Sequence, residues 1–250
     1  MSGHSKWANI KHKKEAADKA KGKMFSRVGK EIMVAAKNGG ADPNSNPALR
    51  SALAAAKAVN MPNANIERAI KKGIGELGDV VFEEIVYEGY AAGGVAVIVD
   101  CLTDNRNRSI SEVRMAFERN NGNMAGSGAV SRLFKRQAHF VITGEWADEE
   151  KLMDIVLDAG ANDLIVEDGE AEIWADPENF EALVKVFEEN GIVPETAEQT
   201  RKPEMTVNIT DAKVASQVIR MIEKLEESDD VQNVTANYLI DDSIADQIEE

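Results

Sequence analysis

One cysteine, three histidines and 5% aromatic residues are all that 250 positions offer to metal or redox chemistry. The lone Cys101 excludes an intramolecular disulfide and a thiolate zinc cluster, and it suits a reducing compartment. It lies in the apolar run GVAVIVDCL, where a packed thiol is expected rather than a nucleophile. His4, His12 and His139 have no metal-binding spacing. No apolar stretch approaches the ~20 residues that span a bilayer. The basic N-terminus is followed by no apolar segment of the secretory kind. Its Lys-rich run, with Glu15 and Asp18, is unlike a mitochondrial presequence. A cytoplasmic protein is expected, with no membrane partner.

Catalytic motifs are missing too. The glycines of AAGGVA and AGSGAV lack the lysine of a phosphate loop and read as turns. No His-x-Glu or Ser/His/Asp arrangement has a mechanistic spacing. The carboxylates are many but spread over acidic surfaces. The expectation is therefore no enzyme, no cofactor, no metal and no small-molecule substrate.

What the chain does have is charge, unevenly placed. Formal net charge is -15. Over residues 1–75, however, Lys and Arg exceed Asp and Glu by about ten, which leaves about -25 on the rest. A basic head on an acidic body selects a polyanionic partner for the head and repels it elsewhere. The 43% hydrophobic share, regularly spaced, argues for folded domains, and the length for two or three of them.

Residues 1–13 show no period and read as an arm. From about Glu15 a helix places Met24, Val28, Ile32 and Ala35 on one face and Lys19, Lys23, Arg27, Lys30 and Lys37 on the other. An ordinary surface helix also has a charged face, but it usually mixes signs. Here nearly all are positive, and Lys6, Lys11, Lys13 and Lys14 extend the series. Trp7, among them, either stacks on an unpaired base or pins the arm to the helices. A second helix is expected after Asn46-Pro47 and a third over NIERAIKKG, completing a small bundle.

From Val80 the period becomes that of strands. EEIVYEGYA and GVAVIVDCL flank a turn at Ala91–Gly94. A helix follows, with Ser109 and Glu112 spaced as a capping box. Next come a strand ending at Ile142, the helix DEEKLMDIVLDAG, two strands about Asp168-Gly169, the helix PENFEALVKVFEENG and a strand in IVPETAEQT. That order is βαββαβ, a complete ferredoxin-like unit. The last strand–helix–strand, MTVNIT to VQNVTANYL, completes the earlier strands. The fold class is α/β (α+β): an N-terminal three-helix domain and two ferredoxin-like α/β domains, one inserted in the other. The expected boundaries are 1–76, then 77–130 together with 204–245, with 131–203 the inserted acidic unit.

GHSKWANIK, AAKNGGADPNSNPALR, NMPNANIERAIKKG, YEGYAAGGVAVIVDCLTDNRNR and SEVRMAF resemble the YebC/PmpR family over nearly the whole chain. The resemblance implies a non-enzymatic regulator of gene expression with this helical domain and these two α/β domains. Members are read as DNA-binding transcriptional regulators. Relatives, including a mitochondrial translational activator of cytochrome oxidase, are tied to the ribosome and translation regulation. Both partners, DNA and ribosomal RNA, therefore stay open. The chain departs from the family pattern at SGAVSRLFKRQAHF, where Gln137, Ala138 and His139 stand in place of an expected glycine.

A second basic cluster spans Asp104–Arg136. Arg106 and Arg108 enter a helix, where backbone N–H groups favour an anion, and they are read as phosphate contacts. Arg114 and Arg119 either join them or pair with carboxylates. No helix–turn–helix with base-reading side chains is evident, so backbone contacts of low sequence preference are expected. The acidic insert orients the complex or meets a protein partner.

Overall fold

Spacings of four carry Val28, Ile32 and Ala36 onto one side of a long helix, α1 (Ala17–Gly39). All three are buried against Leu49, Ala52 and Ala56 of α2 (Pro47–Ala58) and Ala69 of α3 (Asn63–Gly73). The alanines let the helices approach closely. At Gly73 a β-carbon would lie 2.4 Å from the Met33 carbonyl oxygen. Asn46 staples two helix ends. Its Oδ1 accepts from Leu49 N–H, while its Nδ2 donates to the carbonyls of Ala35 and Gly40. Met24, expected in the core stripe, is 47% exposed, because the stripe has rotated away from α2 and α3 by that turn.

This computed structural model describes residues 17–78, 81–167 and 169–248. The arm with Lys6, Trp7, Lys11, Lys13 and Lys14 lies outside them, as does Asp168.

The described residues divide into two compact units, 132–206 and the remainder of 17–248. In the larger one, β1 (Glu83–Tyr90) and β2 (Ala96–Thr103) form an antiparallel hairpin. α4 (Arg106–Arg119) leads to the short β3 (Asn123–Ala125), which pairs with β1. After residue 206 come β8 (Val207–Ile209), α7 (Ala212–Glu226), β9 (Val231–Ala236) and β10 (Tyr238–Ile240). The main sheet runs β3-β1-β2-β9, and β8 pairs with β10 in a parallel two-stranded sheet. Asn237 is the corner between the sheets. Its side chain accepts from Ala96 N–H at 2.7 Å, and its carbonyl accepts from Val207 N–H at 2.7 Å. The core holds Val97, Val99 and Cys101 under Val113 and Phe117 of α4 and Val218, Met221 and Leu225 of α7.

Helix α4 starts three residues before the expected capping box. Asn105, extended and free to turn its side chain back, accepts from Arg108 N–H and caps it. Ser109 is buried inside the helix, at 3.0 Å from the Tyr87 hydroxyl.

Unit 132–206 has β4 (Phe134–Thr143), α5 (Glu149–Asp158), β5 (Ala161–Glu167), β6 (Glu170–Ala175), α6 (Phe180–Glu189) and β7 (Thr196–Pro203). The antiparallel order β5-β6-β4-β7 is that of a ferredoxin-like sheet. Strand β7 starts later than IVPETAEQT suggests, because Ile192 is instead buried in the core against the helices and sheet. Both α/β domains set two helices on a four-stranded antiparallel sheet. They differ in which strands are central.

Candidate nucleic-acid interface

Two cations of the α1 face, Arg27 and Lys30, are engaged within the chain. One turn after Lys23, Arg27 donates through Nη2 to the Glu226 carbonyl at 2.8 Å. The next turn presents Lys30, whose Nζ meets the carbonyls of Leu102 (3.2 Å) and Asp229 (2.8 Å) and Oδ1 of Asp230 (2.8 Å). Arg108 grips the same carboxylate as a fork, Nε to Oδ2 at 2.9 Å and Nη2 to Oδ1 at 2.8 Å. The Thr103 hydroxyl donates a further bond at 2.9 Å. The Asp230 side chain is only 2% exposed. Burial alone raises the carboxyl's pKa. The donors Arg108, Lys30 and Thr103 outweigh it and hold the group below the usual aspartate range. The two cations expected to bind phosphate, Lys30 and Arg108, therefore hold α1 and α4 to the turn after α7.

These contacts bear on the sequence reading of Arg27, Lys30 and Arg108 as phosphate contacts. Like charge along one helix face signals a partner, but here the partner is an aspartate 200 residues away in the same chain. Arg108 also pairs with Asp104 at 2.8 Å and keeps 43% of its side chain exposed. Lys19 falls within α1, Lys23 is half-buried, and Lys37 is exposed in the last turn, where the helix dipole favours a cation. Arg106, Arg114 and Arg119 are exposed on α4.

The glycine loop after β3 does bind an anion, though an internal one. Backbone N–H groups of Gly128, Val130 and Ser131 donate to the Glu88 carboxylate at 2.8, 2.7 and 3.0 Å. Glu88 is buried, which opposes its charge, yet these donors hold its pKa below the ordinary value. Among the described residues no group of three His, Cys, Asp or Glu side chains can hold a metal. No described helix is long and apolar enough to cross a membrane.

Residues 5–76 match the family description TACO1/YebC protein N-terminal domain, and residues 82–238 match TACO1/YebC second and third domain. The chain belongs to the TACO1/YebC family. A relative from Syntrophobacter fumaroxidans, named "Probable transcriptional regulatory protein", is 50% identical over 248 residues, 99% of this chain and 100% of its own. One of the same name from Geobacter sulfurreducens is 50% identical over 95% of this chain and 96% of its own. The crystal structure of a conserved hypothetical protein, Aq1575 from Aquifex aeolicus, superposes with a TM-score of 0.86. It shares 46% identity and covers 96% of this chain and 99% of its own.

Within this TACO1/YebC chain, sequence reading missed Asp230 and Thr103, since no local pattern marks them. It also passed over Arg68 and Lys72, whose signal was present as a spacing of four on α3.

Proposed function

We propose that the protein is a non-enzymatic, cytoplasmic regulator of gene expression that binds nucleic acid through its helical domain and the exposed arginines of α4. Charge segregation carries this reading. Residues 17–76 hold eleven Lys and Arg against five Asp and Glu, whereas residues 132–206 hold seven against nineteen. Such segregation draws a polyanion to the basic domain and repels it from the acidic one. The regulatory names of the relatives and the exposure of Lys57, Arg68, Lys71, Arg106, Arg114 and Arg119 support it. The contacts are chiefly to phosphate, so binding is salt-sensitive and tolerant of sequence.

Ribosomal RNA is the second reading. It is favoured by the docking of Arg27 and Lys30, which withdraws that face of α1 from insertion into a DNA major groove. A paired experiment separates the two. Affinity for a candidate promoter is compared with scrambled DNA, and co-sedimentation with ribosomes is followed, both near physiological salt. Ribosome association with little promoter preference is expected. Strong promoter preference without ribosome association establishes the transcriptional reading. Absence of both removes nucleic-acid binding altogether.

A further inference from the structure

Between α1 and α3 lies a hollow of about 620 Å³. Its wall is apolar, with Phe25 and Met33 from α1, Met61 from the turn before α3, and Leu77 beyond it. Leu77 is 55% exposed. One edge is polar. Asn65, Arg68 and Lys72 follow one another at spacings of three and four along α3, and among the described residues no carboxylate lines the space. Two cations one turn apart repel each other. Arg68 is exposed and Lys72 half-buried, and neither has an ion pair with a described residue.

Gly29 supplies a separate observation. It sits in the middle of α1, where alanine is the better helix former. A β-carbon there would meet only the Met61 methyl, at 4.0 Å. Among the described residues no packing calls for glycine there, whereas a ligand approaching the helix backbone does.

We propose that this hollow holds an unpaired base of single-stranded nucleic acid, stacked on Phe25, with the flanking phosphates on Arg68 and Lys72. Side chains four apart on a helix stand about 5–6 Å from each other at Cβ, within reach of consecutive phosphates. An aromatic platform beside a cationic edge is the usual means of gripping a single strand without reading its sequence. The base takes the apolar wall out of water, and the missing carboxylates leave no like charge to oppose the phosphates. The inference rests on the nucleic-acid-binding reading and adds the strandedness and the place.

The test uses the full chain and a labelled mixed-sequence 12-mer RNA, with the matching duplex DNA in parallel, over a salt series. Arg68→Glu/Lys72→Glu is expected to weaken RNA binding at least tenfold. It also lowers the salt slope by about 1.4, two contacts at roughly 0.7 each for a single strand. Phe25→Leu, which keeps an apolar side chain, weakens RNA binding about fivefold or more with the slope unchanged. Lys185→Glu, an exposed charge on α6 of the acidic unit, gives the baseline for any reversed charge. Circular dichroism checks that each variant is folded. RNA affinity in the double variant and in Phe25→Leu no different from Lys185→Glu overturns the inference, as does an equal loss for duplex and single strand. A wild-type chain that binds neither nucleic acid fails the broader reading instead.

Discussion

Replacing Asp230 by asparagine tests whether the buried carboxylate is what holds α1 to the sheet. The substitution keeps the shape but removes the charge that Lys30 and Arg108 face. Taking one partner from a buried ion pair costs about 3–5 kcal/mol. Two features reduce that figure here. Lys30 keeps the carbonyls of Leu102 and Asp229, and Arg108 keeps Asp104 and is 43% exposed. A loss of about 2–3 kcal/mol is expected. Because the chain has two compact units, a single melting temperature is a poor measure. Native-state hydrogen exchange on α1 reads the effect directly. Its protection should fall roughly 30- to 140-fold, at 1.4 kcal/mol per tenfold. The pH dependence has a definite sign. A carboxyl held below its unfolded value of about 3.9 stabilises above that pH, and the stabilisation disappears as pH falls through the lower folded value. The gap between wild type and variant should therefore be full at pH 7 and close in acid below about pH 4. Adding Lys30→Met to the variant should cost less than it does alone, by about 1–2 kcal/mol. Protection that changes less than threefold in Asp230→Asn refutes the reasoning.

Glu88→Gln puts an amide N–H₂ against backbone donors of the 128–131 loop. A loss of about 1–3 kcal/mol is expected, together with faster proteolysis in that loop; unchanged cleavage counts against the role given to Glu88. Burial, with Asp230 and Asp100 beside it, pushes the Cys101 thiol up to about 12. The folded protein should thus resist iodoacetamide at pH 8 and react once unfolded in urea. Rapid labelling of the native chain contradicts that. Phe134 pairs with Pro203, and Glu204 N–H donates to the Leu133 carbonyl at 2.9 Å, so the ends of unit 132–206 lie side by side. Replacing the unit by a short Gly/Ser linker should leave a folded remainder with protected amides in α7. A molten product is the adverse result.

Local pattern marked most of the elements, though not the start of α4 or of β7. Asn46-Pro47 set the start of α2, the β-rich runs EEIVYEGY and AVIVDCLT about the Ala91–Gly94 turn set the β1–β2 hairpin, and the βαββαβ order set the ferredoxin-like sheet of 132–206. Caps, periods and turns act over a few residues, so their signals stay in the sequence. The basic head against an acidic body was equally legible, since charge is additive and needs no geometry. What the cations face was not. Lys30 and Arg108 look, in sequence, like the free phosphate contacts that Arg106 and Arg114 still resemble. Only the fold brings Asp230 to them, across 200 and 122 positions of chain. The same holds for Glu88, whose anion-binding loop lies 40 residues away. The hollow beside Arg68 and Lys72 likewise depends on packing, since Gly73 lets the end of α3 lie against Met33 and Ala36 of α1. A charged side chain chooses its partner by distance and desolvation, and both are properties of the packed chain rather than of its order.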